Sequence, residues 1–308
     1  MNYRAMGKTG AQVSDVSMGC NRLGESRESD GHWVSLVRRA VDLGVTLFDT
    51  SESYGWGRSE EILGQAIGNR DGVLIADKIS KPQHKDHPDA AAPWSRERII
   101  RHAEGCLGRL KRDRIEILQL HSPKLEDCQS ADWAEGMARL KQQGKIRWSA
   151  VAANDHKTAL WLMEHALVDV LQLTYNLLMP DAAQDVLPMA QRLGVGTMVR
   201  MPMERGILSG KFSPGSPVPA DARAMLNAKK LAAQLEQAEP FRKVADDAGM
   251  TMAMLAMRYA MAPAGVSAII PGARNIEQLE ANVAVTDGPM LSEKTLAAID
   301  AIQKGWQA

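Results

Sequence analysis

Four residues could do acid–base chemistry together: Asp49, Tyr54, Lys78 and His121. Three of them end short apolar runs, in Leu47-Phe48-Asp49, Ile75-Ala76-Asp77-Lys78 and Leu118-Gln119-Leu120-His121, and Tyr54 falls in the loop after Asp49. A phenol with its ordinary pKa of about 10 moves protons poorly at neutral pH. A neighbouring ammonium favours the phenolate and lowers that pKa. Asp49 would hold Lys78 in place and charged, and His121 could donate or accept a hydrogen bond at a reacting oxygen. Tyr54 then becomes a proton donor to a carbonyl or an acceptor from an alcohol. The set needs no metal, thiol or serine nucleophile, but it holds no electron pair to transfer, so it implies a cofactor. Each residue alone has a plainer reading: a turn aspartate, a surface tyrosine, a solvated lysine and a satisfied structural histidine. Their placement at the ends of successive apolar runs favours chemistry.

The elements that must position them show a clear rhythm. Eight short apolar runs read as strands: Val16–Cys20, Thr46–Phe48, Val73–Ala76, Ile115–Leu120, Ile146–Val151, Val170–Leu173, Thr197–Val199 and Ser267–Ile270. Nearly continuous apolar character suits strands buried on both faces of a parallel sheet. Helical-period segments separate them: His32–Leu43, Ser59–Ile67, Arg96–Leu110, Trp133–Gln143, Thr158–His165, Ala182–Leu193 and Asn275–Val285. Gly44, Gly68, Gly144 and Gly194 stand where left-handed C-caps belong, and Ser95 is a candidate N-cap. This alternation predicts an α/β fold, a (β/α)8 TIM barrel, whose active groups sit at the carboxyl ends of the strands. An open doubly wound sheet would show G-x-G-x-x-G after its first strand. Neither Gly19-Cys-Asn-Arg-Leu-Gly24 nor Gly55-Trp-Gly-Arg-Ser-Glu60 fits. Residues 2–16 read as a β-hairpin closing the barrel bottom. Extra C-terminal helices are expected near Thr251–Met261 and Ser292–Gln303, and the proline-bearing segment 201–227 as a long functional loop. No Ser/Gly linker interrupts the chain, so 1–308 is expected to be a single domain.

Composition narrows the function. Among 308 residues, 37 Lys and Arg balance 37 Asp and Glu, so neither a nucleic-acid partner nor a polybasic membrane anchor is expected. No signal-peptide core and no span of about 18–20 apolar residues is seen, which predicts a cytoplasmic protein. Cys20, Cys106 and Cys128 are scattered and read as buried thiols. No metal site is expected: His84-Lys-Asp-His87 offers an incomplete ligand set and reads as a solvated loop.

At the four catalytic candidates the chain resembles the aldo-keto reductase superfamily. The resemblance rests on Gly44-Val-Thr-Leu-Phe-Asp-Thr-Ser-Glu-Ser-Tyr-Gly-Trp-Gly-Arg-Ser-Glu60, on Ile75-Ala-Asp-Lys78 and on Ile115-Glu-Ile-Leu-Gln-Leu-His-Ser-Pro123. It extends over about residues 3–286. It implies that Asp49, Tyr54, Lys78 and His121 form the family's tetrad, and that an NADP(H)-dependent enzyme interconverts an aldehyde or ketone with an alcohol.

The same resemblance implies the cofactor positions. Gln172, in Val170-Leu-Gln-Leu-Thr-Tyr-Asn176, would meet the nicotinamide carboxamide, with Tyr175 nearby. The segment Gly194–Lys211 is similar to the part that wraps the pyrophosphate, bringing in Pro202, Met203, Gly206, Leu208, Gly210 and Lys211. Arg200 stands where the family has an aromatic residue that stacks on nicotinamide, and a guanidinium can stack on a planar ring too. Gly272, Ala273, Arg274, Gln278 and Asn282 would surround the adenosine. Arg274 precedes a helix start, which favours a phosphate there and hence NADPH over NADH. One departure is Ala150-Val-Ala-Ala-Asn154, where the family reads Gly-Val-Ser-Asn: Ala152 and Ala153 lack the polar pair, and Asn154 retains half of it after a one-residue shift. Trp56 and Trp94, in rim loops, are candidate substrate walls. Two other readings remain at this point: a cofactor-binding regulatory subunit resembling potassium-channel β subunits, and a Schiff-base aldolase using Lys78. Asp49 disfavours the aldolase, because it raises the amine's pKa.

Overall fold

The apolar runs become a barrel because each is buried on both faces. A computed structural model describes residues 1–82, 88–130, 132–217 and 228–306. An antiparallel hairpin, β1 (Tyr3–Ala5) and β2 (Gln12–Ser14), precedes eight parallel strands. These are β3 (Met18–Gly19), β4 (Leu47–Asp49), β5 (Leu74–Ser80), β6 (Ile115–His121), β7 (Ile146–Ala152), β8 (Val170–Thr174), β9 (Gly196–Arg200) and β10 (Ala268–Ile269). They pair in sequence order. The parallel bridges Val16 to Ile269 and Gly19 to Gly272 join the first strand to the last and close the ring. All eight strands anticipated from sequence are present, as is the hairpin.

Helices fill the crossovers: α1 (Asp30–Asp42), α2 (Arg58–Ala66), α3 (Arg96–Leu110), α4 (Leu125–Ser130), α5 (Trp133–Gln142), α6 (His156–Glu164), α7 (Val186–Leu193), α8 (Ala228–Asp247), α9 (Met252–Met261), α10 (Ile276–Val283) and α11 (Glu293–Lys304). Each long crossover helix turns one stripe inward. On α1 that stripe is Trp33, Leu36, Val37 and Ala40, with the Ser29 hydroxyl accepting from His32 N–H at its start. Gly44, Gly68, Gly144 and Gly194 all adopt positive φ after their helices, as expected of C-caps. Ser95 occupies the N-cap of α3, but its side chain makes no capping bond. Two helices went unanticipated. Helix α4 is only six residues long, and α8 carries Pro240 in its interior, which breaks the periodicity by which a helix is read. The His84–His87 segment and residues 218–227 of the long loop lie outside the described residues.

Two cores result. Side chains on the outer strand faces pack under the helices. A second cluster fills the lumen: Leu47, Ala76, Ile117, Ala150, Val170, Met198 and Ala268, with Met6 and Val13 of the hairpin entering from below. Met6 is fully buried, and such a side chain contributes about 1.5–3 kcal/mol. A Cβ at Gly196 would come within 2.6 Å of its sulfur, so β9 needs glycine where the plug enters. The three cysteines are buried and free, with burial raising each thiol pKa. No described helix is long and apolar enough to cross a membrane.

Candidate active site

Strand geometry dictates what lies above the lumen floor. Side chains alternate with period two, so residues two positions past the floor point inward again, one layer nearer the carboxyl end. From Leu47, Ala76, Ile117, Ala150, Val170 and Met198 that step reaches Asp49, Lys78, Gln119, Ala152, Gln172 and Arg200; one more reaches Ser80 and His121. The polar site is therefore the second storey of the barrel.

Lys78 is fully buried. Its Nζ donates to Asp49 Oδ2 at 2.7 Å and to the Thr50 carbonyl at 2.7 Å. Gln172 Nε2 and Gln119 Nε2 donate to Asp49 Oδ1 at 2.6 and 3.1 Å. Burial pulls the ammonium's pKa down, but the Asp49 charge, helped by Tyr54, more than reverses this, and Lys78 stays above its ordinary value. That is the wrong direction for a nucleophilic amine.

Tyr54 lies beside this pair, its ring centroid 5.0 Å from Lys78 Nζ. Its pKa departs from the sequence expectation of a lowered value: it is raised. Burial is the largest influence and outweighs the lowering by Lys78, while the Asp49 carboxylate adds to the rise. The phenol therefore rests protonated, which suits a proton donor.

His121 packs edge-on to Tyr54, with centroids 5.9 Å apart. Its Nδ1 faces three hydroxyls: Ser80 at 2.8 Å, Ser51 at 3.1 Å and Ser53 at 3.5 Å. Burial, then the charges of Lys78 and Arg200, lower its pKa to about 3. The ring is thus neutral near neutral pH. Hydroxyls able to donate to Nδ1 favour the tautomer with its proton on Nε2, in which the imidazole presents a neutral donor. These serines were not singled out from sequence, although Ser51 and Ser53 flank Glu52 within the quoted signature.

The remaining rim is mixed. Arg200, at the end of β9, donates through Nη2 to Asn154 Oδ1 at 2.7 Å and to the Ala153 carbonyl at 3.4 Å. Its Nε is buried with no partner. Asn154 is exposed and also accepts from Ser122 Oγ at 3.2 Å, while Ala152 and Ala153 are buried. Gln172 is aimed at Asp49 and spends one amide hydrogen there. Tyr175 is buried against Tyr259, with rings stacked 5.1 Å apart, and so belongs to the packing beneath α9. Trp56 is 74% exposed on the rim, whereas Trp94 is 1% exposed, beneath Lys81. A buried Trp94 can shape a pocket only from behind.

After β9 the backbone is unusually contorted. Met201, Glu204 and Arg205 take positive φ, with Gly206 and Gly210 alongside. Strain of this kind in non-glycine residues, about 1–3 kcal/mol each, persists where surrounding structure imposes it, often at ligand clamps. Pro202 and Leu208 are buried, Met203 and Gly206 partly so, and Lys211 is exposed. Across the barrel seam, Asn275 caps α10 by accepting from Gln278 N–H at 2.9 Å. Gln278 Oε1 accepts from Arg274 N–H, and Asn282 Nδ2 donates to the Gly272 carbonyl. Ala273 is buried. Gly272 faces Gly19 and Asn21, so the turn sits directly beside the mouth.

These residues fit a nicotinamide dinucleotide. The orphaned Nε of Arg200 calls for an acceptor at the mouth, and Arg274 places a cationic side chain one residue before the N-cap of α10. Among the described residues one other cluster, Glu60, Asp77 and Cys106, gathers potential ligand atoms. Glu60 is engaged by Arg109 at 2.7 and 3.1 Å, and burial with the adjacent Glu60 raises the Asp77 carboxyl well above its usual range, so a carboxyl pair neutralised by arginine accounts for it.

Comparison with known proteins agrees with this architecture. The model of the aldo/keto reductase family matches residues 15–304. An uncharacterized oxidoreductase of Mycobacterium tuberculosis is 33% identical over 94% of this chain and 90% of its own length. A probable voltage-gated potassium channel subunit beta of Oryza sativa is 27% identical over 98% of this chain and 96% of its own. The solved holo form of an aldo-keto reductase from Bacillus halodurans superposes with a TM-score of 0.83 at 23% identity, covering 98% and 96% of the two chains. The storey of polar residues above the barrel floor and the match along nearly the whole chain lead to one assignment: the protein belongs to the aldo/keto reductase family of oxidoreductases.

Proposed function

We propose that this protein is an NADP(H)-dependent oxidoreductase that interconverts an aldehyde or ketone and the corresponding alcohol, with Tyr54 as general acid and base. The observation that carries the proposal is the buried Lys78 ammonium, clamped to Asp49 at 2.7 Å and 5.0 Å from the Tyr54 ring. When bound, the reduced nicotinamide supplies a hydride to the carbonyl carbon. Tyr54, protonated at rest, donates its proton to the carbonyl oxygen. Lys78 stabilises the phenolate left behind, and Asp49 keeps Lys78 charged and fixed. His121 donates from Nε2 to the same oxygen, orienting it and offsetting the charge that grows there. In the alcohol-to-carbonyl direction the phenolate takes the proton back, with Lys78 holding it in that form.

Arg200, Asn154 and the free amide hydrogen of Gln172 are the groups suited to the nicotinamide end. The contorted stretch with Pro202, Met203, Gly206, Leu208, Gly210 and Lys211 suits the pyrophosphate. Gly272, Ala273, Arg274, Gln278 and Asn282 suit the adenosine, with Arg274 favouring the extra phosphate of NADPH over NADH. Trp56 is the rim aromatic best placed for substrate. Tyr175 and Trp94 act from the packed interior.

The channel-subunit relative raises a second reading, a nucleotide-binding regulator without useful turnover. Following NADPH absorbance against a panel of aldehydes and ketones separates the two. The enzyme reading expects substrate-dependent NADPH consumption; tight NADPH binding with no consumption across the panel favours the regulator.

A further inference from the structure

The charges at the barrel mouth do not cancel. Asp49 and Lys78 neutralise each other at 2.7 Å. Tyr54 and His121 are neutral at rest. Glu204, the carboxylate just beyond β9, is bound by Arg205 at 2.6 Å and by Asn176 at 3.1 Å. Arg200 is left over. Among the described residues it makes no ion pair, its contacts are the neutral Asn154 oxygen and Ala153 carbonyl, and its Nε has no partner. Among these described groups the sum is one net positive charge, from a guanidinium that stays protonated at any working pH.

That charge is felt where reaction occurs. Arg200 acts electrostatically on both Tyr54 and His121, the two groups a reacting oxygen must reach. A ring that delivers hydride to the carbon bearing that oxygen lies within the same field. The oxidised nicotinamide ring is a cation, and the reduced ring is neutral. We propose that Arg200 makes the site discriminate between the two redox forms of its cofactor, disfavouring NADP+ relative to NADPH and biasing the protein toward carbonyl reduction and rapid release of the oxidised nucleotide. This inference rests on the NADP(H) reading above. It concerns a ratio, so contributions of the phosphates, ribose and adenine, identical in the two forms, cancel.

The test is equilibrium titration of the purified protein with NADPH and with NADP+, by calorimetry at one pH and one ionic strength. Wild type, Arg200→Gln and Arg200→Lys are compared. Wild type is expected to bind NADPH more tightly than NADP+, and Arg200→Gln to shrink that preference at least tenfold, a change of about 1.4 kcal/mol. Arg200→Lys, which keeps the charge, retains most of the preference. Arg200→Met replaces Arg200→Gln if the latter does not fold by circular dichroism. A ratio that stays within twofold of wild type in the uncharged variant overturns the inference while leaving the cofactor assignment intact. Failure of wild type to bind either nucleotide removes the cofactor assignment, and this inference with it.

Discussion

Replacing Asp49 by asparagine isolates the interaction on which the site is built. The change preserves shape and leaves an amide oxygen to accept from Gln172 and Gln119. It puts an N–H where Oδ2 accepts from Lys78 at 2.7 Å. The ammonium, fully buried, then keeps only neutral acceptors, the Thr50 carbonyl and the Tyr54 hydroxyl. Breaking a buried pair by removing one partner costs about 3–5 kcal/mol, because the other charge remains uncompensated. Against a typical total stability of about 5–15 kcal/mol this is a large fraction. Removing the second charge as well should restore much of the loss, since apolar replacement of both partners is often nearly neutral. The expected pattern in urea unfolding at neutral pH is therefore a drop of about 3–5 kcal/mol for Asp49→Asn and a recovery of about 2 kcal/mol or more in Asp49→Asn/Lys78→Met. Neither variant should retain useful turnover. An Asp49→Asn protein within about 1 kcal/mol of wild type, or a double variant no more stable than the single, would refute the reasoning.

The serine contacts to His121 predict a graded effect. Ser80→Ala removes the 2.8 Å contact but leaves Ser51 at 3.1 Å, so kcat/KM should fall by about tenfold, with a larger loss in Ser51→Ala/Ser80→Ala. NMR of the imidazole nitrogens should show the Nε2–H tautomer weakening in step, and unchanged kinetics in the double variant would remove the serines from the mechanism. The lowered His121 pKa, about 3 against an unfolded value of 6.5, also predicts a pH effect on stability. Below the unfolded value the unfolded chain binds the proton that the folded protein refuses, so this contribution is present above pH 6.5 and is lost as pH falls toward 3, at up to about 1.4 kcal/mol per pH unit. Thermal denaturation between these limits should show a slope that His121→Asn reduces; an identical slope in that variant would contradict the assignment.

The barrel was legible because parallel strands buried on both faces leave continuous apolar runs, and because Gly44, Gly68, Gly144 and Gly194 mark where helices stop. The gathering of Asp49, Lys78 and His121 was legible because each ends one of three successive runs, with Tyr54 in the loop after the first. What escaped was everything set by burial or by a partner on another strand. A sequence shows a cation near Tyr54 but not the desolvation that outweighs it. Gln119 and Gln172 are polar interruptions in otherwise apolar strands, each two residues above the lumen floor, and that shared register is the signal by which their convergence on Asp49 could have been read. Gln172 was expected to meet a nicotinamide carboxamide, and its bond to Asp49 was not foreseen. Helix α8 was hidden by Pro240, and the inward position of Trp94 by its place in a rim loop, where an aromatic reads equally well as wall or core.

The central claim is that a protonated Tyr54 phenol delivers the proton of carbonyl reduction. Tyr54→Phe keeps the ring and its packing against His121 while removing only the hydroxyl. Measured together, NADPH affinity and the single-turnover rate of NADPH oxidation with an active carbonyl substrate test the claim most directly. The account predicts a rate lower by about a hundredfold to ten-thousandfold with nucleotide affinity changed less than about threefold. A variant that oxidises NADPH at the wild-type rate would contradict it.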